Sequence, residues 1–244
     1  MHARESWLGG AYRRIYDGLC GYHPNRRPWH FQWSATYYLN RHLRQVLSPL
    51  GGIVLDVGCR DKPYRGWFGA VTEYVGLDAV AGASTDVIVM PDELWPLPNE
   101  HFDVLLSTQV LEYVEHPDFM LAEMSRVLKP GGVVVMSFPF LYNEHGEHDM
   151  QRFTAHRAVS LFPDFEVVRL ERQGGIGSTL AILSLNWAEQ TMNRRFFTRI
   201  LKSLLLPVWL AVSVIFNFVG LLIDRIDRTG SFYSNVLLVV RKRS

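Results

Sequence analysis

Disulfide bonding has almost nothing to work with in this chain, because only Cys20 and Cys59 among its 244 residues are cysteine. A cross-linked secreted scaffold is excluded, and a reducing compartment fits. An excess of either charge is lacking too: 25 Lys and Arg stand against 24 Asp and Glu, a formal net charge of +1. The broad basic footprint of a nucleic-acid binder is therefore missing, and no nucleic acid is expected as a partner. With 20% charged and 13% aromatic residues, the composition favours burial over solvation and excludes a disordered chain. Arg4, Glu5, Arg13 and Arg14 open the chain without an apolar core segment. No cleavable secretory signal is expected, and the protein is expected in the cytoplasm, with peripheral contact at the inner face of a membrane as an extension of that reading. What the chain does have is length enough for a sizeable core and a 21-residue run from Ser203 to Ile223 without a formal charge. That run is long enough to cross a bilayer.

Three composition regimes follow one another. Residues 1–50 interleave aromatics (Trp7, Tyr12, Tyr16, Tyr22, Trp29, Trp33, Tyr37, Tyr38) with arginines, and Leu39, Leu43, Val46 and Leu47 recur at helical spacing before Ser48-Pro49-Leu50-Gly51-Gly52. This reads as an N-terminal helical cap. Residues 51–172 alternate β-rich runs (Ile53–Val57, Glu73–Asp78, Asp86–Met90, Phe102–Ser107, Val133–Phe138, Phe165–Leu170) with helical patterns such as Asp118–Leu128, which Pro130-Gly131-Gly132 is expected to end. Strand, crossover, strand in this rhythm implies an α/β fold with a mostly parallel sheet covered by helices. Residues 173–231 read as a hydrophobic helical insertion, and 232–244 return to the core with a last strand, Ser234–Val240.

Ligands of open parallel sheets bind beyond the carboxyl ends of the strands. The first strand ends in Leu55-Asp56-Val57-Gly58-Cys59, where glycine lets backbone approach a ligand closely. The second ends in Asp78, whose carboxylate can accept hydrogen bonds from two vicinal ribose hydroxyls. A nicotinamide-type site would need Gly-x-Gly-x-x-Gly for a pyrophosphate; Gly58-Cys-Arg-Asp-Lys-Pro63 supplies only the first glycine.

Four segments together resemble the class I S-adenosylmethionine-dependent methyltransferases, in particular the small-molecule group with a Leu-Asp-Val-Gly-Cys-Gly signature. They are Val54–Cys59 with Lys62-Pro63-Tyr64, Glu73–Asp78, Pro96-Leu97-Pro98 leading into Phe102-Asp103-Val104, and Val110–Tyr113 running to Arg126–Gly132. The resemblance covers roughly residues 50–171 and the final strand. It implies a Rossmann-like sheet with an antiparallel last strand, and S-adenosyl-L-methionine as cofactor. It also implies that Asp56 and Gly58 line the methionine moiety, that Asp78 holds the ribose, that Asp92 approaches the adenine and that Gln109 lies near the cofactor. Two positions depart from the pattern. Arg60 stands in place of the second glycine, and Pro91 in place of an acidic residue, with Asp92 one position later.

After the fifth strand comes Phe138-Pro-Phe-Leu-Tyr-Asn-Glu-His-Gly-Glu-His-Asp-Met-Gln-Arg-Phe-Thr154. A similar pattern occurs in family members tied to glycan or lipid-linked substrates. His148 is expected as general base, supported by Asp149, with His145 second, because imidazole exchanges a proton near neutrality. Tyr142 and Arg152 are expected to position an oxygen-rich acceptor. The alternative is that Asp149 and Arg152 pair with each other while Thr154 caps the next helix. A metal site from His145, Glu147, His148 and Asp149 lacks a second anchored ligand pair, and no metal is expected. Cys59 is given no nucleophilic duty, and Glu112 either faces the pocket mouth or begins a helix.

The function expected is O-methylation of a saccharide, lipid-linked or natural-product acceptor. The alternative is a catalytically inactive relative acting as a binding or membrane-associated partner. A single pass by the apolar run would put the last two strands on opposite sides of a membrane, and Pro207 and Asn217 are expected to interrupt it. Residues 203–223 are therefore expected to meet a membrane surface, an apolar acceptor or a second copy rather than to span.

Overall fold

The computed structural model describes residues 7–243, so Arg4 and Glu5 lie outside it. The chain forms two compact units, one of residues 39–173 with the C-terminal segment from Tyr233, the other of residues up to Tyr38 with Gly174–Phe232.

The first unit is built on a seven-stranded sheet. Its strands are β1 (Gly52–Val57), β2 (Val71–Asp78), β3 (Val87–Ile88), β4 (Phe102–Thr108), β5 (Leu128–Pro139), β6 (Phe165–Gln173) and β7 (Asn235–Lys242), in spatial order β3-β2-β1-β4-β5-β7-β6. Pairings from β3 through β5 are parallel, and β7 runs antiparallel to both of its neighbours. The central strands β1, β4, β5 and β7 read as apolar runs because both faces are covered, whereas the edge strand β6 is largely exposed. On one face Leu55, Leu105, Met136 and Leu238 pack with Met120, Leu121 and Met124 of α3 (Pro117–Val127) and with Ala155 and Ala158 of α4 (Ala155–Ser160). On the other, Val54, Leu106, Val135 and Leu237 pack with Leu39, Leu43, Val46 and Leu47. Those four belong to a helix, Trp33–Leu47, which becomes α2 once the N-terminal α1 (Trp7–Cys20) is counted. The division expected at residue 50 thus falls at Tyr38/Leu39, inside α2, because the apolar stripe of that helix is sheet core.

One local expectation is corrected. Pro130-Gly131-Gly132 does not end α3. The helix stops at Val127, Leu128 already pairs with Phe102, and the register slips before Val104 meets Val133. The Pro-Gly-Gly segment is a bulge within β5, with Gly131 at φ +76°.

The second unit contains α1, the first part of α2, and three consecutive helices: α5 (Ile176–Arg194), α6 (Phe196–Leu204) and α7 (Leu206–Ile226). The apolar run is broken at Leu205, between α6 and α7, as expected near Pro207, whereas α7 continues unbroken through Asn217. Pro207 occupies the first turn of α7, where its missing N–H leaves nothing unsatisfied. Asn217 is buried and donates through Nδ2 to the carbonyls of Pro28 (2.9 Å) and His30 (3.0 Å). Helices α5 and α7 form an antiparallel hairpin. Gly177 meets Gly220 near one end, and Leu185 and Trp209 share an apolar cluster further along.

Candidate functional site

Strand order reverses direction between β1 and β4, and the carboxyl ends of these strands with β2 bring Gly58, Asp78 and Gln109 to one edge of the sheet. Such a reversal leaves a crevice between loops that turn opposite ways. Gly58 has φ +76°, and a Cβ there would lie 2.3 Å from Val110 Cγ2. Only glycine fits. Its N–H and that of Cys59 both donate to the Leu77 carbonyl, at 2.8 and 3.2 Å, which lays the loop against the end of β2.

Asp78 is half-buried. Its Oδ2 accepts from the Arg60 N–H (3.0 Å) and its Oδ1 from the Val80 N–H (3.1 Å). Each oxygen keeps acceptor capacity, as two ribose hydroxyls require. Arg60 is exposed at φ +43°, the left-handed region in which the family's second glycine would sit without strain. Lys62, also left-handed at φ +51°, pairs with Asp86, which accepts the Gly76 N–H at 2.7 Å. A Cβ on Gly76 would strike Lys62 Cε and Cys59 Sγ at 2.5 and 2.7 Å. Burial pushes the Cys59 thiol up to about 11, so it stays protonated at neutral pH.

Asp56, unlike Asp78, is enclosed by protein. Its Oδ2 accepts the Tyr74 hydroxyl at 2.7 Å, cross-linking β1 and β2, and burial lifts its carboxyl to about 7 against that hydrogen bond. Asp92 is exposed at φ +65°, its Oδ2 3.9 Å from His116 Nε2.

Gln109 belongs to a chain of polar side chains that sequence reasoning did not assemble. Its Nε2 donates to Ser137 Oγ (3.1 Å) and Asn235 Oδ1 (2.8 Å). Asn235 Nδ2 donates to Gln173 Oε1 (2.6 Å), and Gln173 Nε2 lies 3.2 Å from His42 Nδ1. The chain crosses β4, β5, β7 and β6 at their shared edge. The available signal was the polar residue at one end of each apolar strand.

The loop after β5 is pinned to the same edge. Met150 N donates to the Glu112 carbonyl (2.9 Å) and Gln151 Nε2 to the Val114 carbonyl (2.7 Å). Within it Arg152 grips Asp149 through both guanidinium nitrogens and reaches the Asn143 carbonyl at 3.1 Å. The guanidinium holds the Asp149 carboxyl below the ordinary carboxylate range. Asp149 Oδ2 also accepts the His145 backbone N–H at 2.7 Å, and Thr154 Oγ1 caps α4 by accepting from Arg157 N at 3.2 Å. Of the two readings left open, the geometry has Asp149 and Arg152 paired with one another, with Thr154 as cap. The structure thus brings Asp149, Arg152 and the His145 backbone together, while His145 and His148 are both exposed and Tyr142 is half-buried at the start of the loop.

Glu112 sits on a one-turn 3-10 helix, Leu111–Tyr113, directly after β4. It is 2% exposed, its Oε2 has no hydrogen-bond partner among the described residues, and burial lifts its carboxyl to about 7. Ser107 Oγ, near the end of β4, is likewise buried without a partner among them. No group of three metal-ligating side chains converges among the described residues. The tight glycine turn, the acceptor-rich Asp78 and these two unmatched polar atoms fit a sulfonium nucleoside, whose ribose needs acceptors and which brings no phosphate.

Comparison with known proteins agrees with this geometry. A family model described as a methyltransferase domain matches residues 55–136, from β1 into β5. An uncharacterized methyltransferase of Mycobacterium leprae is 30% identical over 114 residues, 42% of this chain and 42% of that protein. The chain spans less than half the length of the curated relatives it matches. Among solved structures, the [4+2]-cyclase SpnF aligns with a TM-score of 0.58 at 17% identity, covering 97% of this chain and 93% of that one. Haemonchus contortus phosphoethanolamine N-methyltransferase 2, in complex with phosphomonomethylethanolamine and S-adenosylhomocysteine, aligns at 0.52 with 13% identity, over 96% of this chain and 60% of that one. At such identities the likeness is one of fold. Sheet order and glycine turn give the chain a fold similar to that of the class I S-adenosylmethionine-dependent methyltransferases, and its segment from Leu55 to Met136 matches a methyltransferase domain.

Proposed function

We propose that the protein transfers a methyl group to a hydroxyl or carboxyl oxygen of a saccharide, lipid-linked or natural-product acceptor in the cytoplasm. The observation that carries this reading is the imidazole-bearing loop of residues 140–154, tied by Met150 to Glu112 at the edge that also holds Gly58 and Asp78. Bound S-adenosylmethionine supplies a methyl carbon already activated by its sulfonium. Asp78 takes the ribose hydroxyls, Gly58 leaves room for the methionine portion supported by Asp56, and Gln109 and Asp92 flank the remainder. An oxygen nucleophile must then be aligned and relieved of its proton. His148, exposed on the loop, accepts that proton, with His145 as the second candidate. The Asp149–Arg152 pair fixes the shape of the loop, and Tyr142 orients the acceptor's oxygens. The expected result for His148→Ala is a fall in kcat of about 100-fold or more with cofactor affinity unchanged, read by transfer from labelled cofactor to a panel of polar lipids and sugars. Unchanged turnover across a pH series would remove the assignment.

A second reading, an inactive relative that binds without transferring, is favoured by one observation. The exposed Arg60 holds the left-handed backbone where a glycine is usual. Cofactor binding without transfer to any acceptor in the panel would support it.

A further inference from the structure

Helices α6 and α7 distribute their side chains in the reverse of a water-soluble protein. In α6 one residue is buried, Lys202, which donates to Glu189 Oε1 (2.7 Å) and Asn193 Oδ1 (2.8 Å). Phe196, Phe197, Ile200, Leu201 and Leu204 of the same helix face outward, Phe197 and Leu204 at 83% and 74% exposure. In α7 the buried positions after Trp209 are Ser213, Asn217 and Gly220, each small or polar. Ile215, Phe216, Val219, Leu222 and Ile226 are exposed. Together with Val208 and Phe218 these sweep roughly 160° of the helix circumference at about 100° per residue. The α5–α7 crossing is made by Gly177 and Gly220, where a Cβ on Gly177 would lie 2.3 Å from the Gly220 carbonyl oxygen.

A soluble helix buries its apolar stripe and turns polar residues outward. Small residues at the crossing, amides bonded inside and large aliphatic and aromatic groups outside are the arrangement adopted when the surroundings are lipid. Charge is placed to match. Exposed Arg194 and Arg195 lead directly into α6, and exposed Arg225 and Arg228 follow the apolar part of α7. Cations at the rims of an apolar surface suit anionic headgroups.

We propose that α6 and the outward face of α7 insert into one leaflet of an anionic lipid bilayer. Both ends of this excursion join strands of one sheet, Gln173 ending β6 and Asn235 beginning β7. A single crossing is therefore excluded, and the excursion leaves and returns on one side of the membrane. A second copy of the chain would cover one side of a helix more readily than the wide arc found here.

The test is flotation of the purified full chain with phosphatidylcholine vesicles, with and without phosphatidylglycerol, beside Phe197→Glu/Leu204→Glu and Arg194→Glu/Arg195→Glu variants whose folding is checked by circular dichroism and cofactor binding. Wild type should float with the anionic vesicles. The apolar variant should bind about 100-fold more weakly, about tenfold per side chain, and the charge variant should lose its preference for phosphatidylglycerol. Folded wild type that floats with neither vesicle overturns the proposal. So does a stable dimer that the Glu substitutions dissociate while vesicle binding is absent. Should the first pair misfold, Ile215→Ser/Leu222→Ser gives the same comparison, and flotation equal to wild type overturns the proposal.

Discussion

Individual residues carry two kinds of strain that solution measurements can read. The first is backbone strain at Arg60, φ +43°, where a side chain costs about 1 kcal/mol relative to glycine. Arg60→Gly should raise thermal stability by up to about 1 kcal/mol in a denaturant or thermal melt, and a loss of stability would mean that the arginine side chain makes a compensating contact. The second is burial of carboxylates. Burial lifts Glu112 from its ordinary 4.5 to about 7 and Asp56 from 3.8 to about 7. Between the unfolded and folded values the folded state binds more protons, so stability is fully present below about 4.5 and is lost as pH rises towards about 7 and beyond. The carboxylates held low by partners, such as Asp149, act in the opposite sense, but at more acid pH. Glu112→Gln should flatten the decline by about 3 kcal/mol at most, as measured by urea denaturation at pH 5 and pH 8. An unchanged slope would place the buried proton elsewhere. The place of Asp78, Gly58 and Gln109 at the carboxyl edge of the sheet was legible in the sequence because each ends or follows an apolar strand. The Asp149–Arg152 grip was legible only as one of two readings, since a spacing of three fits both a salt bridge and a catalytic loop. The burial of Glu112 was not legible at all. It depends on how a one-turn helix folds against the following loop.

Elements were legible in proportion to how local their causes are. Six of the seven strands appeared in the sequence within a few residues of their ends, because burial of the central ones writes them as apolar runs and the edge strands keep β-branched residues. β5 began earlier than expected, since pairing of Leu128 with Phe102 is a long-range event that no local pattern around Pro130 reveals. The hairpin of α5 and α7 was harder. α5 runs past its apolar part through Glu189 to Arg194, where Glu189 is matched by Lys202 from α6. Its start is held by carboxylates from the end of its partner. Asp224 Oδ1 accepts the Ser178 N–H and Asp227 Oδ2 the Ile176 N–H, both at 3.0 Å, where negative charge suits a helix N-terminus. Asp224→Ala should therefore destabilise the hairpin by about 1 kcal/mol, seen as faster amide exchange in residues 176–182. Gly177→Val should be far more damaging, because the added carbons meet the Gly220 carbonyl.

At the scale of the whole chain, a cofactor sheet and an outward-apolar helical unit are interleaved in sequence, with residues 39–173 and the last strand forming the first and the remainder the second. The interleaving is physically economical. β7 must return to the sheet between β5 and β6, so whatever lies between β6 and β7 can grow without disturbing the core. The sheet and its glycine turn are similar to those of class I methyltransferases, a fold in which loops and insertions choose the acceptor, which is why the proposed acceptor is the least legible part of the sequence.

The role proposed for the edge formed by Gly58, Asp78 and Gln109 is to receive S-adenosylmethionine, with Arg60 beside it. Isothermal titration of S-adenosylmethionine into the wild-type protein and Asp78→Ala tests it most directly. Saturable one-site binding that the substitution weakens about tenfold or more is the predicted result. Folded wild type that takes up no cofactor, or binding indifferent to Asp78, would contradict it.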